Sequence, residues 1–268
     1  MPSVGEALLG SIGRRALSLI ARTHDASVLI NKVFYWTFLS PFRGQKLRVR
    51  ASLFEMVKAG YNSIPIVATI SLFVGIILAL QSAYQLKRVG ALIYVANLVG
   101  VSITRELGPI LTAIIVAGRS GSAFAAEIGS MKAADEIDAL IGMGINPVGF
   151  LVSPKLIALM VMMPCLTVLS DCIGIFGGFI LSVSVLEIHP FNYFQQTVQA
   201  LHVRDIVTGL VKAWAFGVVI TIVGAYQGFK VSGGAEEVGR RTTAAVVASI
   251  FLVIVFDLFF TILFYYFT

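Results

Sequence analysis

Charge is what this sequence has least of. Asp, Glu, Lys and Arg make up 13% of its 268 residues, against 57% hydrophobic, where an average globular protein carries about 25% charged and about 45–50% apolar residues. A soluble core could not bury that much apolar surface, so a soluble protein is excluded, and a disordered or coiled-coil chain falls at the same step. Cysteine is scarce as well. The two present, Cys165 and Cys172, exclude a disulfide scaffold. Seven residues apart in an apolar stretch, they fall on one helix face and read as small buried thiols rather than a metal or redox pair. The three histidines, His24, His189 and His202, are scattered, so metal chemistry is not expected. No G-x-x-x-x-G-K-[ST] run occurs, and the nearest Gly-rich pieces, GRSGSAFAAEIG and VSGGAEEVG, lack the lysine of a phosphate-binding loop. The chain is therefore expected to bind no cofactor itself, and any ATP, with its Mg, is used by a partner.

What the sequence does have is long apolar runs. A helix needs roughly 20 residues to cross about 30 Å of hydrocarbon. Five stretches reach that length, about 59–86, 91–118, 156–186, 208–229 and 242–268. The first holds SIPIVATISLFVGIILAL, with Pro65 near its start, where a helix tolerates it. The second is broken by Arg105 and Glu106 and reads as one long helix with an ion pair inside it; the third is interrupted only by Asp171. The last carries Asp257 near its middle and closes in FFTILFYYFT, an aromatic end suited to a membrane interface. The reading is an all-α integral membrane protein, with a cytoplasmic or interfacial segment over 1–58 and a transmembrane domain over 59–268.

The basic residues orient it. Nine of the twenty Lys and Arg precede the first span, so the net charge of +6 points to lipid headgroups and not to nucleic acid. With the N-terminus inside, fifteen basic residues fall in inner segments, and five (Lys87, Arg88, Arg105, Arg204 and Lys212) fall outside. The positive-inside rule then expects a cytoplasmic N-terminus and a C-terminus on the outer side. The beginning of the chain does not read as a signal peptide, since only six uncharged residues separate Arg15 from Arg22. Val4, Leu8, Ile12, Ala16 and Leu19 recur at helical spacing and predict an amphipathic helix on the inner leaflet.

Two features could carry function. Between the second and third spans lies AAEIGSMKAADEIDALIGMGINP, helical at its centre, with Ile137, Leu140 and Ile141 on one face and Asp135, Glu136 and Asp138 on the others. This helix is expected to stop at Asn146, because Pro147 disfavours a helical conformation in the residue before it. An acidic amphipathic helix on a side where loops are usually basic reads as a docking element for a soluble subunit, or else as a solvated connector. The second feature is the charge within the spans. Arg105, Glu106, Asp171 and Asp257 would each be costly facing lipid and should face protein or a wet cavity. Arg105 and Glu106 point about 100° apart on a helix, so one is expected to anchor while the other lines a lumen, both meeting a polar lumen or partners in a second copy. For Asp171 and Asp257 a structural hydrogen bond to a neighbouring helix is the alternative to function. Small residues four apart, Gly118–Ser122–Ala126, Gly121–Ala125–Gly129 and Gly174–Gly178–Ser182, predict close helix approach, within the chain or at a dimer interface.

The stretch from Ile103 to Pro147, ITRELGPILTAIIVAGRSGSAFAAEIGSMKAADEIDALIGMGINP, closely resembles the corresponding segment of the MlaE/YrbE permease family, in its RELGP start, AGRSGSA seam, AAEIG turn and EIDAL helix in that order. The N-terminal helix, five spans and aromatic end are similar to that family too. The resemblance implies the permease subunit of an ABC transporter, a homodimer in the inner (cytoplasmic) membrane with two copies of a cytoplasmic ATPase beneath it. It also implies a ring of MCE-domain subunits on the periplasmic side, with a small accessory subunit on the ATPase as a further partner. The implied cargo is phospholipid or a related lipid moving between the inner membrane and the outer envelope. Glu136 to Ile145 would be the ATPase-coupling helix, preceded by Asp135 and including Asp138, Leu140 and Ile141, and Arg105 and Glu106 would lie near a lipid cavity between the two copies. The general importer loop pattern, Glu-Ala-Ala followed by a Gly at its seventh position, is met only at Glu136 and Gly142. Ile137 and Asp138 replace the alanines, a departure from sugar and amino-acid importers. Two other classes fit the residues: a gradient-driven transporter or channel working through Asp171, Asp257 and the Arg105–Glu106 pair, and a scaffold that only anchors peripheral proteins.

Overall fold

In hydrocarbon every backbone polar group must be satisfied by the protein itself, and uncharged runs of roughly 20 residues do so as helices. The computed structural model describes residues 24–39 and 48–267, and among them there is no strand. The amphipathic helix expected over Val4 to Leu19 lies outside the described residues. Helix α1 covers 24–39 and closes in a widened π turn, Tyr35–Leu39. The chain continues through α2 (Val49–Val89), α3 (Leu92–Ala133), α4 (Glu136–Gly142), α5 (Val148–Ser184), α6 (Pro190–Ala200), α7 (Val203–Phe229) and α8 (Ala235–Tyr266). Five of these, α2, α3, α5, α7 and α8, are long and apolar enough to cross a membrane, so this is an all-α, multi-pass membrane protein. The helix carrying the second expected span runs past Gly118 to Ala133; its 42 residues extend about 63 Å, roughly twice the hydrocarbon thickness. Alternation puts α4 and the α7–α8 connection at one end of the bundle, the α4 end, and α6 at the other.

Helix α5 is the axis. It packs along α2 on one side and α7 on the other, and α7 in turn carries α3 and α8. The α2–α5 contact is backbone against backbone: a Cβ on Gly75 would stand 1.9 Å from the Gly174 carbonyl oxygen, so only glycine fits. Of the three small-residue seams, Gly174 and Gly178 face α2, α3 and α6, while Gly121 and Gly129 face α7, α8 and the connection between them. Both close contacts inside the chain. The third, Gly118–Ser122–Ala126, looks outward. So do the cysteines: Val161, Cys165, Val168, Cys172 and Phe176 form an exposed stripe along α5. The expectation of buried thiols is corrected here, because the glycine face of α5 is the one that α2 occupies.

Three apolar cores follow the bundle. One gathers Phe124, Leu159, Phe216 and Ile220. A second, Ala79, Val95 and Val99, lies toward α6. The third, at the α4 end, joins Val33 of α1 and Ile137 and Leu140 of α4 to Val148, Leu151 and Leu156 of α5. There Thr37 donates to the Ser153 hydroxyl at 3.1 Å and the Trp36 ring lies over Gly149. Helix α4 ends at Gly142, ahead of the stop expected at Asn146. Asn146 instead starts α5, its Oδ1 accepting from the backbone N–H groups of Val148 (3.0 Å) and Gly149 (3.3 Å).

Candidate functional site

The charges of α3 find their partners on α7 and α8. Arg105 and Glu106 lie in a π turn, Ile103–Leu107, which changes the phase of an ideal helix. They do not pair with each other, nor do they wait for a second copy. The Arg105 guanidinium faces Asp205 in the first turn of α7 at 3.6 Å, and Asp205 also accepts from the His202 backbone N–H at 3.0 Å, capping that helix. Glu106 meets Lys212 Nζ at 2.5 Å. Lys212 is 2% exposed; it also touches Asp257 at 3.0 Å and donates to the Thr261 hydroxyl at 2.7 Å. One ammonium thus holds two carboxylates from two other helices. The set is not closed: the side chains of Arg105 and Glu106 are 39% and 35% exposed, and they open on the surface of the single chain. Asp257, expected either in a structural bond or in function, is bound to the neighbouring helix through Lys212.

Asp171 behaves differently. Its Oδ1 is buried without a hydrogen-bond partner, and a Cβ on Gly108 would lie 1.8 Å from that oxygen. The glycine of the RELGP motif is thus a seat for the Asp171 carboxyl, and the structure does not bring Asp171 into the Lys212 cluster.

A second buried lysine lies near the α4 end. Lys155, also 2% exposed, contacts Glu55 of α2 at 2.5 Å and Glu127 of α3 at 2.9 Å, while its ammonium stands 4.8 Å from the centre of the Phe124 ring. Lys58 takes the other oxygen of Glu127 at 3.2 Å. Next to this site is α4. Asp135, in a left-handed turn at φ 57°, reverses the chain out of α3, and Asp138 is held by Lys132 at 2.9 Å. Ile137 and Leu140 point inward, whereas Ile141, expected on the same apolar face, is 56% exposed. Asp135, Glu136 and Asp138 are exposed too. A groove of about 370 Å³ separates α4 from α1, with Asp25, Leu29 and Lys32 on one wall and Ile137, Asp138 and Ile141 on the other. Among the described residues no group of His, Cys, Asp and Glu is placed to hold a metal ion.

Reading the sequence missed Lys155, Lys212, Glu55, Glu127, Asp205 and Thr261. Lys212 carried a usable signal, since a lone lysine inside an apolar helix must find an anion, and Asp205 lies seven residues before it on the same face.

A five-span helical bundle with ion pairs inside it and a short acidic helix at one end defines an all-α, multi-pass membrane protein. Comparison with known proteins is specific: the family model described as Permease MlaE matches residues 53–263, and the chain belongs to the MlaE permease family. A probable ABC transporter permease protein of Rickettsia typhi is 39% identical over 85% of this chain and 88% of its own length. One from Synechocystis is 37% identical over 83% and 84%, and the Arabidopsis chloroplastic protein trigalactosyldiacylglycerol 1 is 32% identical over 79% and 61%. ABC transporter permeases are non-catalytic subunits and imply an ATPase partner.

Proposed function

We propose that this chain is the permease half of an ATP-driven transporter moving phospholipids or related lipids between the inner membrane and the outer envelope. It works as a homodimer, with two ATPase copies at the α4 end and an MCE-domain ring at the α6 end. The observation that carries the reading is the setting of Arg105 and Glu106, which are held from behind by Asp205 and Lys212 and open on the chain's surface within a span. A charged patch facing lipid is penalised, so a second copy closing over it makes a lumen with apolar walls and a few polar groups, suited to hydrocarbon tails and a charged headgroup. The Arabidopsis relative is named for a galactolipid, which supports the same cargo class. The excess of Lys and Arg on the α4 side supports a cytoplasmic N-terminus and a periplasmic C-terminus.

In this mechanism hydrolysis in the ATPase displaces α4. Ile137 and Leu140 are packed into the core with Val148 and Leu156, so α5 follows α4, and α5 is packed against α7, which carries Asp205 and Lys212. The partners of Arg105 and Glu106 then shift. A guanidinium released from Asp205 can bind a phosphate with two parallel hydrogen bonds, and Glu106 orients the headgroup. Replacing Arg105 with Ala should reduce phospholipid recovered per folded dimer by about tenfold, the loss of one charge-assisted pair, without preventing ATPase assembly. Normal lipid content in that dimer overturns the cavity role. The surplus carboxylate around Lys212 also suits a gradient-driven carrier, and lipid transfer in proteoliposomes that responds to a proton gradient and not to ATP would select it.

A further inference from the structure

Arg119 differs from Lys155, Lys212 and Arg105. Lys155 and Lys212 each touch two carboxylates and Arg105 faces Asp205, whereas no carboxylate among the described residues pairs with Arg119. Its Nη1 donates to the Ser63 hydroxyl at 3.0 Å, and Ser63, fully buried, donates in turn to the Ala59 carbonyl at 2.7 Å. A guanidinium offers five N–H donors in a planar fork. Most of these donors meet no partner among the described residues, and the residue is exposed.

Its level in the membrane follows from its partner. Ser63 immediately precedes the apolar helical stretch Ile64–Leu86, and Lys58 with Glu127 lies further toward the α4 end. Arg119 therefore stands at the end of the apolar stretch, the level at which a hydrocarbon layer of about 30 Å would give way to headgroups. Arg119 lies in a π turn, Ala117–Gly121, one of four among the described residues with Tyr35–Leu39, Ile103–Leu107 and Val148–Val152. Beside it a Cβ on Gly118 would meet no atom within 4 Å, which leaves room for a headgroup.

We infer that Arg119, supported by Ser63, binds the phosphate of a membrane phospholipid in the leaflet at the α4 end. The fork matches two phosphate oxygens, and a cation at this depth needs an anion that none of the described residues supplies. The site deepens the lipid-permease reading by marking where a lipid of that leaflet is held. Binding requires neither ATP nor transport, so binding without transport defeats that reading and spares this one, and transport without binding does the reverse.

The test places the full-length chain in nanodiscs of digalactosyl diacylglycerol, which has no phosphate, and titrates in brominated phosphatidylglycerol. A fluorophore on Asn62→Cys, with Cys165 and Cys172 replaced by Ala, reports quenching beside the site. Phosphatidylglycerol should associate about fivefold more strongly than the host lipid, Arg119→Gln should remove the preference, and Arg119→Lys should retain part of it. Absence of any preference in the unsubstituted chain, or an unchanged preference in Arg119→Gln, overturns the proposal. Abolition by excess inorganic phosphate also overturns it, assigning the site to a free anion. If Arg119→Gln dissociates the dimer while Arg119→Lys keeps it and shows no lipid preference, the guanidinium serves the second copy and the phosphate site is wrong.

Discussion

Lys155 and Lys212 are equally buried and each meets two carboxylates, yet the two sites differ in charge. At Lys155 a second ammonium, Lys58, reaches Glu127, so two cations answer two anions. At Lys212, Glu106 and Asp257 share a single cation, because Arg105 is taken by Asp205. The first site joins α2, α3 and α5 near α4. The second joins α3, α7 and α8 within the spans. Burial of a lysine therefore does not assign a role by itself. A balanced set ties helices together, whereas an unbalanced one leaves a carboxylate free to change partner, the condition expected of a functional site.

The strongest way to break this comparison is Lys155→Met, which strands the buried Glu55 and leaves Glu127 to Lys58 alone. Removing one partner of a buried set costs about 3–5 kcal/mol, so folded protein should nearly vanish from size-exclusion profiles, and adding Glu55→Gln should recover part of it. Unfolding at the unsubstituted chain's temperature would show that Lys155 is not a strut.

The helix beside that strut allows a second contrast. Leu140 is buried and Ile141 exposed, so Leu140→Asp should cost about 2 kcal/mol from lost apolar burial alone and loosen α4. Ile141→Asp should leave thermal stability unchanged and weaken ATPase co-purification. Equal effects of the two on stability would mean that α4 is not anchored as described.

Single-carboxylate changes sharpen the difference in charge. Glu127→Gln unbalances the first site and should cost about 1–3 kcal/mol, whereas Glu106→Gln leaves Lys212 and Asp257 as a one-to-one pair and should change stability by no more than about 0.5 kcal/mol while impairing transport. Parallel thermal scans and lipid-transfer assays check both. The smallest effect is a label: a cysteine added after Thr268, with Cys165 and Cys172 replaced, should react with an impermeant thiol reagent from outside. Protection until lysis would reverse the two ends of the bundle.

Much of this architecture was legible in the residues. The apolar runs announced five spans, and Arg105, Glu106, Asp171 and Asp257 stood out because charge is costly there. The EIDAL segment announced a helix, although its end was misplaced: Pro147 drew attention to Asn146, which proved to cap the following helix. Pairing was not legible. Lys212 lies 106 residues from Glu106 and Lys155 lies 100 from Glu55, separations over which local periodicity carries no information. Lys212 read simply as an outer-side basic residue.

Composition and run length alone determined that this chain is helical and crosses a membrane, because an apolar run of roughly 20 residues satisfies its own backbone in hydrocarbon only as a helix. The order of motifs from Ile103 to Pro147 also determined the family. Which charges meet was decided only in the tertiary structure. Glycine contacts such as Gly75 on Gly174 bring helices to backbone distance, and the π turns at Ile103–Leu107 and Ala117–Gly121 set the direction of Arg105, Glu106 and Arg119. A local pattern states that a charge inside a span needs a partner; the packing of whole helices selects it, and leaves Arg119 without an anion among the described residues.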